Sequence, residues 1–334
     1  MTRSTLDRPT SSPSLAARLG GFWASGRERL SHGWVDYVFY ASFILLILIA
    51  ASTSSVFFTN QNIGNLFRQI VTNGLISLGQ LVVIVTGGID LSVGAIVALA
   101  GIMVSGFQAY MPLPVAILIV LVVGAFCGAI NGFLISRFKL QPFIVTLATV
   151  EAIRGFVYVY HETAITPSNP MFGLIFGTEV LGPLTSSVLI MLVAYPIFWL
   201  FLNRTTSGRA IFAIGGNDEA VRLAGINVRG HIVLAYLISG VCAALAGVLL
   251  AARLGISQPS MGSGFELDAI AACVIGGAAL GAGGGGSVVG TFGGVLILGL
   301  INNLLNLFNV QSYYQQIIKG LIILFAVLAR RRER

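Results

Sequence analysis

Residues Leu113–Ile135 read LPVAILIVLVVGAFCGAINGFLI, a run of twenty-three positions without a charged side chain. A helix needs about twenty mainly apolar residues to cross the hydrocarbon of a bilayer. This segment supplies them, and runs like it recur along the chain. The 334 residues are 56% hydrophobic and 9% charged, against roughly a quarter charged in soluble domains. The fold class expected is therefore all-α: a polytopic transmembrane helical bundle.

Working outward from that run, apolar stretches between charged or Gly/Pro-rich breaks give ten candidate crossings. They are Val35–Ala51, Gln69–Thr86, Leu91–Gln108, Leu113–Ile135, Pro142–Tyr160, Leu184–Leu202, Ile232–Ala252, Leu267–Leu280, Val288–Leu305 and Tyr313–Ala329. Leu267–Leu280 is the shortest. Residues 1–31 are Ser/Pro/Arg-rich with no apolar core and are expected to form a disordered cytoplasmic tail rather than a signal peptide. The expected organisation is that tail, a transmembrane domain over 32–330 with a cytoplasmic loop at 203–230, and a basic end at 331–334.

Basic residues test the count, because cytoplasmic loops of membrane proteins are enriched in Lys and Arg. With the N-terminus inside, the inside segments hold Arg3, Arg8, Arg18, Arg27, Arg29, Arg137, Lys139, Arg204, Arg209, Arg222, Arg229, Arg330, Arg331, Arg332 and Arg334, fifteen of the nineteen. The outer loops keep Arg68 and Arg253, while Arg154 and Lys319 fall within crossings. About ten spans with both termini cytoplasmic is the consistent arrangement. The net charge of +7 then reflects topology and contact with anionic membrane lipid; no nucleic-acid partner is expected.

Cofactor chemistry finds little support. Cys127, Cys242 and Cys273 lie singly inside crossings, and His32, His161 and His231 show no metal-ligand spacing. Neither metal nor cofactor is expected. A GxGxxG pattern at Gly281, Gly283 and Gly286 follows no strand and lacks a following Lys, so a nucleotide site is not expected there. Glycines instead suggest helix contact: Gly124, Gly128 and Gly132 form one stripe, and Gly290 with Gly294 another.

Charges within the crossings need a reason, since each costs about 2.5–3.5 kcal/mol at a helix centre on insertion scales. Glu151 and Arg154 share a helix face, which allows mutual neutralisation or a polar lining. Lys319 has no local acidic partner, so contact with a carboxylate or carbonyls of another helix is expected. Asp90, in Gly87–Ser92 (GGIDLS), reads either as a cap on the following helix or as part of a broken-helix turn at membrane depth. In the 203–230 loop, Asn217 can cap a helix, Asp218 and Glu219 suit its positive end, and Gly225 can end it. Two turns are unstable alone, so this helix must dock, on its own bundle or on a soluble partner.

Several segments carry a resemblance that runs from about residue 35 to 330. GGIDLSVG (Gly87–Gly94), NGFL (Asn131–Leu134), QPFIVTL (Gln141–Leu147), Arg154-Gly155, Gly208–Val228, ELDAIAACVIGG (Glu266–Gly277) and QQIIKGLIILFAV (Gln315–Val327) resemble, in order, the ribose-type permeases of bacterial ATP-binding-cassette (ABC) importers, in the branched-chain amino acid/ribose permease family. The resemblance implies a bacterial inner-membrane subunit with no catalytic residues. Its partners would be a separate ABC ATPase pair, a periplasmic or lipid-anchored sugar-binding protein, and a second permease copy or paralogue. It implies that the loop docks on the ATPase, with Gly208, Arg209, Gly215, Gly216, Asn217, Asp218, Glu219, Ala220, Leu223, Gly225 and Ile226 as coupling candidates. Candidate polar groups of the pathway are Asp90, Asn131, Glu151, Arg154, Glu266, Asp268, Asn302, Asn303 and Lys319. Asn306, Asn309, Gln311, Gln315 and Gln316 are further hydrogen-bonding candidates near the outer ends of the last two crossings. The chain departs from the family pattern at Ala278–Gly286, where a glycine tract stands in place of hydroxyl residues.

Two other readings compete. A secondary transporter or channel would place paired ionisable groups along its pathway, and few are present. A branched-chain amino-acid permease is the near neighbour within the importer class, but the two segments GGIDLSVG and ELDAIAACVIGG are more similar to the sugar branch.

Overall fold

The computed structural model describes residues 43–281 and 283–331. The expectations for residues 1–31, for the first half of Val35–Ala51 and for the last three residues lie outside the described part. The helices are α1 (Phe43–Thr53), α2 (Asn60–Val85), α3 (Val93–Phe107), α4 (Leu113–Phe138), α5 (Pro142–Tyr160), α6 (Met171–Gly177), α7 (Ser186–Arg204), α8 (Thr206–Leu223), α9 (Val228–Leu254), α10 (Phe265–Ile275), α11 (Val288–Leu307) and α12 (Ser312–Arg331). A small antiparallel hairpin, β1 (Glu179–Leu181) and β2 (Leu184–Thr185), turns at Gly182 between α6 and α7. Helices α2, α4, α5, α7, α9 and α11 are long and apolar enough to cross a membrane.

The opening run forms α4, and its two faces show how such a helix is used. Val115, Leu118, Val122, Phe126, Ile130 and Phe133 lie exposed at helical spacing, a stripe stable only against lipid. Gly124, Gly128 and Gly132 face the other way, onto α9. A Cβ on Gly128 would overlap the Tyr236 carbonyl, and one on Gly132 would stand 2.7 Å from the Val233 Cα. Association in lipid gains little from apolar contact, so close backbone approach through small residues carries it. The expected glycine contact face is thus present.

Helix α9 is the hub, packing most extensively on α4, α2 and α3. Its small residues make this possible: Gly240 meets the Gly124 backbone, Gly247 meets Val97, and Ser239 lies against Gly79 of α2. Ala243, Ala244, Ala246 and Ala251 are fully buried.

Two helices stop short of the expected bounds. Leu267–Leu280 reads as a crossing, yet α10 has 11 residues, about 16 Å of helix against a core of about 30 Å. Gly276 and Gly277 end it, Gly277 at φ 108°, a conformation that a residue with a Cβ rarely adopts. Helix α3 has 15 residues and follows a second irregular segment, Gly87–Ser92. The two breaks touch: Gly284 N–H donates to the Val85 carbonyl at 2.8 Å.

Candidate functional site

At the first break, Asp90 is fully buried. Its Oδ1 accepts from the Ser92 N–H (3.0 Å) and Ser92 Oγ (2.6 Å), and its Oδ2 accepts from Ser239 Oγ of α9 (2.8 Å). The Gln80 carboxamide, oriented to satisfy both ends, donates to the Asp90 carbonyl at 2.9 Å and accepts from its N–H at 3.2 Å. Asn131 Nδ2 of α4 donates to Ser92 Oγ at 3.0 Å, and Thr149 Oγ1 of α5 donates to Asn131 Oδ1 at 2.6 Å. Tyr236 Oη donates to the Ile89 carbonyl at 3.3 Å. Irregular backbone inside a membrane bundle must find partners within the protein, and this network supplies them from four helices.

The two readings of Asp90 meet in one carboxylate. Ser92 is the N-cap of α3 and makes no side-chain cap bond of its own; Asp90 Oδ1 takes its N–H at the helix start, while Oδ2 ties the same irregular segment to Ser239 across the bundle. Asp90 and the fully buried Asn131 are enclosed among α2, α4, α5 and α9.

Glu151 and Arg154 make no direct ion pair among the described residues. Arg154 reaches across instead, donating to the carbonyls of Pro259 (2.5 Å) and Met261 (2.9 Å) and to Ser263 Oγ (3.0 Å). The segment between α9 and α10 is irregular, with free carbonyls and positive-φ glycines at 255, 262 and 264, so a guanidinium with five donors is better satisfied there than on one carboxylate. Glu151 is left exposed on α5. Glu266 closes the same turn, its Oε1 accepting from the Gly264 N–H at 3.2 Å.

Lys319 of α12 meets the expectation of a partner on another helix: its Nζ lies 2.9 Å from Asp268 Oδ2 of α10, with the side chains 26% and 9% exposed. Asn73 Nδ2 of α2 adds a longer contact to the same oxygen, 3.4 Å. Asn303 is buried and pairs reciprocally with Asn62, at 2.9 and 3.2 Å, so it joins α11 to α2. Asn302 lines a small cavity with Gln69 and Asn73, and both Asn73 Oδ1 and Asn302 Oδ1 are buried without a protein partner. Gln315 donates to Asn306 Oδ1 and to the Val310 carbonyl in the turn between α11 and α12. Asn309, at φ 54°, supplies that turn with its left-handed residue. Gln311 and Gln316 are exposed.

The loop at 203–230 holds more helix than expected. Helix α8 begins at Thr206, capped by Thr205 Oγ1 accepting from the Gly208 N–H (3.0 Å), and breaks at Asn217 (φ −165°, ψ 97°). There Asn217 Oδ1 accepts from the Ala220 N–H at 2.9 Å, the cap of a second short helix. Gly225, at φ 80°, ends it, and the Ile226 N–H closes back on the Val221 carbonyl at 3.3 Å, a left-handed glycine stop. Val221 is its one buried side chain; Asp218, Glu219, Ala220, Arg222 and Leu223 are exposed, Leu223 at 77%. Glu219 and Arg222 pair in solvent, and the hydrogen bond pulls the Glu219 carboxyl below its ordinary range.

The glycines of this loop divide into two kinds. A Cβ on Gly208 would overlap the Phe201 carbonyl of α7, and one on Gly215 would overlap the Val85 carbonyl and Gly284 N. Gly216 has open space around it. Gly215 therefore seats α8 where the two helix breaks meet, linking the exposed short helix to the buried Asp90 network through backbone contact. Sequence reading missed this junction and the roles of Ser239, Gln80 and Thr149. Their polar spacing along apolar helices was the available signal, but nothing in the order of residues says which helices meet.

Residues 62–327 match the family model described as branched-chain amino acid transport system / permease component. The chain is 45% identical over 303 residues to the ribose import permease protein of Bacillus subtilis (strain 168), covering 88% of this chain and 92% of that one. It is 39% identical over 316 residues to the ribose import permease protein of Escherichia coli (strain K12), covering 92% and 98%. It is 36% identical over 310 residues to the galactose/methyl galactoside import permease protein of the same organism, covering 86% and 91%. No solved structure matches. A bundle whose helices meet through glycine, whose two helix breaks touch, and whose sequence aligns nearly end to end with these permeases belongs to the branched-chain amino acid transport system permease family, in its ribose-type branch.

Proposed function

We propose that the chain is the membrane subunit of a bacterial ABC importer, carrying a pentose- or hexose-like sugar, or a related furanose, through the inner membrane while a separate ATPase supplies the energy. The observation that carries this reading is the capped helix after Asn217, exposed on nearly every face and seated through Gly215 on the junction of the two helix breaks. A helix of under two turns gains little from propensity and keeps its shape by docking. Leu223 and Ile226 offer an apolar contact for the ATPase, ringed by Asp218, Glu219 and Arg222. Motion of the ATPase pair would pass through Gly215 to the backbone at Val85–Ser92 and Gly276–Ser287, a switch between two arrangements of a packed bundle.

The topology in this reading has ten crossings with both ends cytoplasmic: the six long helices, α1, α3 and α12, and a broken crossing in which the short α10 is continued by the irregular segment after Ile275. A second permease copy or paralogue faces α5, because the exposed Glu151 sits there among Ala148, Ala152 and Gly155, and a carboxylate in mid-span avoids lipid. The periplasmic sugar-binding protein delivers substrate at the opposite end from α8. The chain itself does no bond chemistry.

Reconstitution into proteoliposomes with an ATPase subunit and a sugar-binding protein tests the reading. Leu223→Asp should leave insertion and thermal stability unchanged and lower both sugar uptake and binding-protein-stimulated ATP hydrolysis at least tenfold, about 1.4 kcal/mol of coupling. Full uptake by this variant would refute docking at the helix after Asn217.

A further inference from the structure

The two arginines that the charge pattern leaves outside, Arg68 and Arg253, are far apart in sequence and meet in one cleft. The cleft, of ≈ 110 Å³, lies among α2, α6, α7, α9 and β2 and is lined by Arg68, Thr72, Thr185, Ser187 and Arg253, with α6 forming one wall. Arg253 Nη1 donates to the Arg68 backbone carbonyl at 2.9 Å, which brings the Arg253 side chain to the rim where Arg68 stands. Thr185 is fully buried, and its Oγ1 has no partner within the protein. We propose that this cleft binds a phosphate group, from an anionic lipid headgroup or from free phosphate.

Charge and donor count support the assignment. Guanidinium groups carry donors and no acceptor. Arg253 has no acidic partner among the described residues, so its free donors stand beside an unpartnered buried hydroxyl. A buried polar atom left unpaired calls for an explanation, and two adjacent cations call for a counter-charge. A group with several anionic oxygens meets both needs, and arginine binds phosphate in paired hydrogen bonds. Ser187 does not compete as a donor, since its Oγ already donates to the Phe176 carbonyl at 2.6 Å. The chain's own competitors act on Arg68: Asn65 Oδ1 accepts from its Nη2 at 2.8 Å, and Glu179 of β1, 64% exposed, lies 3.7 Å from its Nη1.

Position favours a headgroup. Arg68 precedes Val85, where α8 contacts α2, by seventeen residues, about 26 Å along the helix axis. The cleft thus stands near the far end of the bundle from α8. Beside it α6 exposes Met171, Leu174 and Ile175 at 54%, 59% and 47%, an apolar surface that belongs against acyl chains, with the arginines at headgroup height. The site is independent of the import reading and would exist in a chain that transported nothing.

The test uses the purified full-length chain, delipidated and titrated with phosphatidylglycerol, phosphatidylcholine or inorganic phosphate at matched ionic strength, with bound ligand counted by native mass spectrometry. Phosphatidylglycerol should bind at least tenfold more tightly than phosphatidylcholine and be displaced by inorganic phosphate. Arg253→Gln and Thr185→Val should each weaken it about tenfold, the loss of one charge-assisted hydrogen bond. Glu179→Gln removes the charged competitor and should raise affinity about twofold to fivefold. Binding of inorganic phosphate with no lipid preference would assign the site to free phosphate and uphold it. Wild-type protein that prefers neither phosphate nor phosphatidylglycerol would overturn the proposal, whatever the variants do. So would wild-type binding in folded Arg253→Gln and Thr185→Val, or an unchanged or lower affinity in Glu179→Gln.

Discussion

Replacing Lys319 by Met leaves the Asp268 carboxylate, whose side chain is 9% exposed, with the 3.4 Å contact to Asn73 as its remaining hydrogen bond. Removing one member of a buried ion pair costs about 3–5 kcal/mol, because the desolvated partner is left uncompensated. Lys319 is 26% exposed, which places the loss at the lower end, ~3 kcal/mol, more than a hundredfold in the folded-to-unfolded ratio. Asp268→Asn should cost less, ~1–2 kcal/mol, since the long lysine stem can carry its ammonium toward water. The double variant Lys319→Met/Asp268→Asn removes both charges and keeps similar volumes, so it should lie within ~1 kcal/mol of the parent. The interaction energy from this cycle should be at least ~2 kcal/mol. Unfolding in mixed micelles followed by circular dichroism, with sugar uptake measured beside it, gives both readouts. An interaction energy under ~0.5 kcal/mol would show that α10 and α12 are not held together by this pair.

Further outcomes follow from the same contacts. Gly128→Leu drives a side chain into the Tyr236 carbonyl at the α4–α9 contact and should destabilise by ~3 kcal/mol or more, read as loss of folded protein on size-exclusion chromatography. Gly155→Leu meets nothing within 4 Å, so the single chain should stay folded; if α5 faces a second permease, cross-linking between copies should fall sharply. Arg154→Gln leaves the Pro259 and Met261 carbonyls without their donor, so amides of residues 255–264 should exchange at least tenfold faster in deuterium oxide while those of α9 stay protected. Ser239→Ala leaves Asp90 Oδ2 unpartnered inside the bundle and should cost ~1–3 kcal/mol, whereas Ser239→Thr, which keeps the hydroxyl, should cost less in the same melting experiment.

The legibility of the chain differed from element to element. Leu113–Ile135 announced a crossing because lipid imposes one requirement on every position of a spanning helix, so a local run suffices. The short helix after Asn217 was equally open to reading, since Asn217, Asp218, Glu219 and Gly225 act on the backbone within four residues of themselves. Lys319 announced that it needed a partner, because a lone charge in hydrocarbon is costly. It did not name Asp268, which lies fifty-one positions earlier on a helix whose angle to α12 no local pattern encodes.

Where the sequence left two readings open, long-range contacts decided. Glu151 and Arg154 share a face, but carbonyls of a distant irregular segment offered Arg154 more acceptors than one carboxylate could. Asp90 serves both readings at once: Oδ1 takes the Ser92 N–H at the start of α3, while Oδ2 is held by Ser239 of α9. The sequence by itself determined the membrane class, the glycine contact faces, the capped loop helix and the family, because each rests on local chemistry or on recurrence of whole motifs. Only the tertiary structure decided that the two helix breaks touch, that Gly215 seats α8 against them, and that Arg68 and Arg253 share one cleft. Those are meetings of residues far apart along the chain, and helix packing alone sets which of them come together.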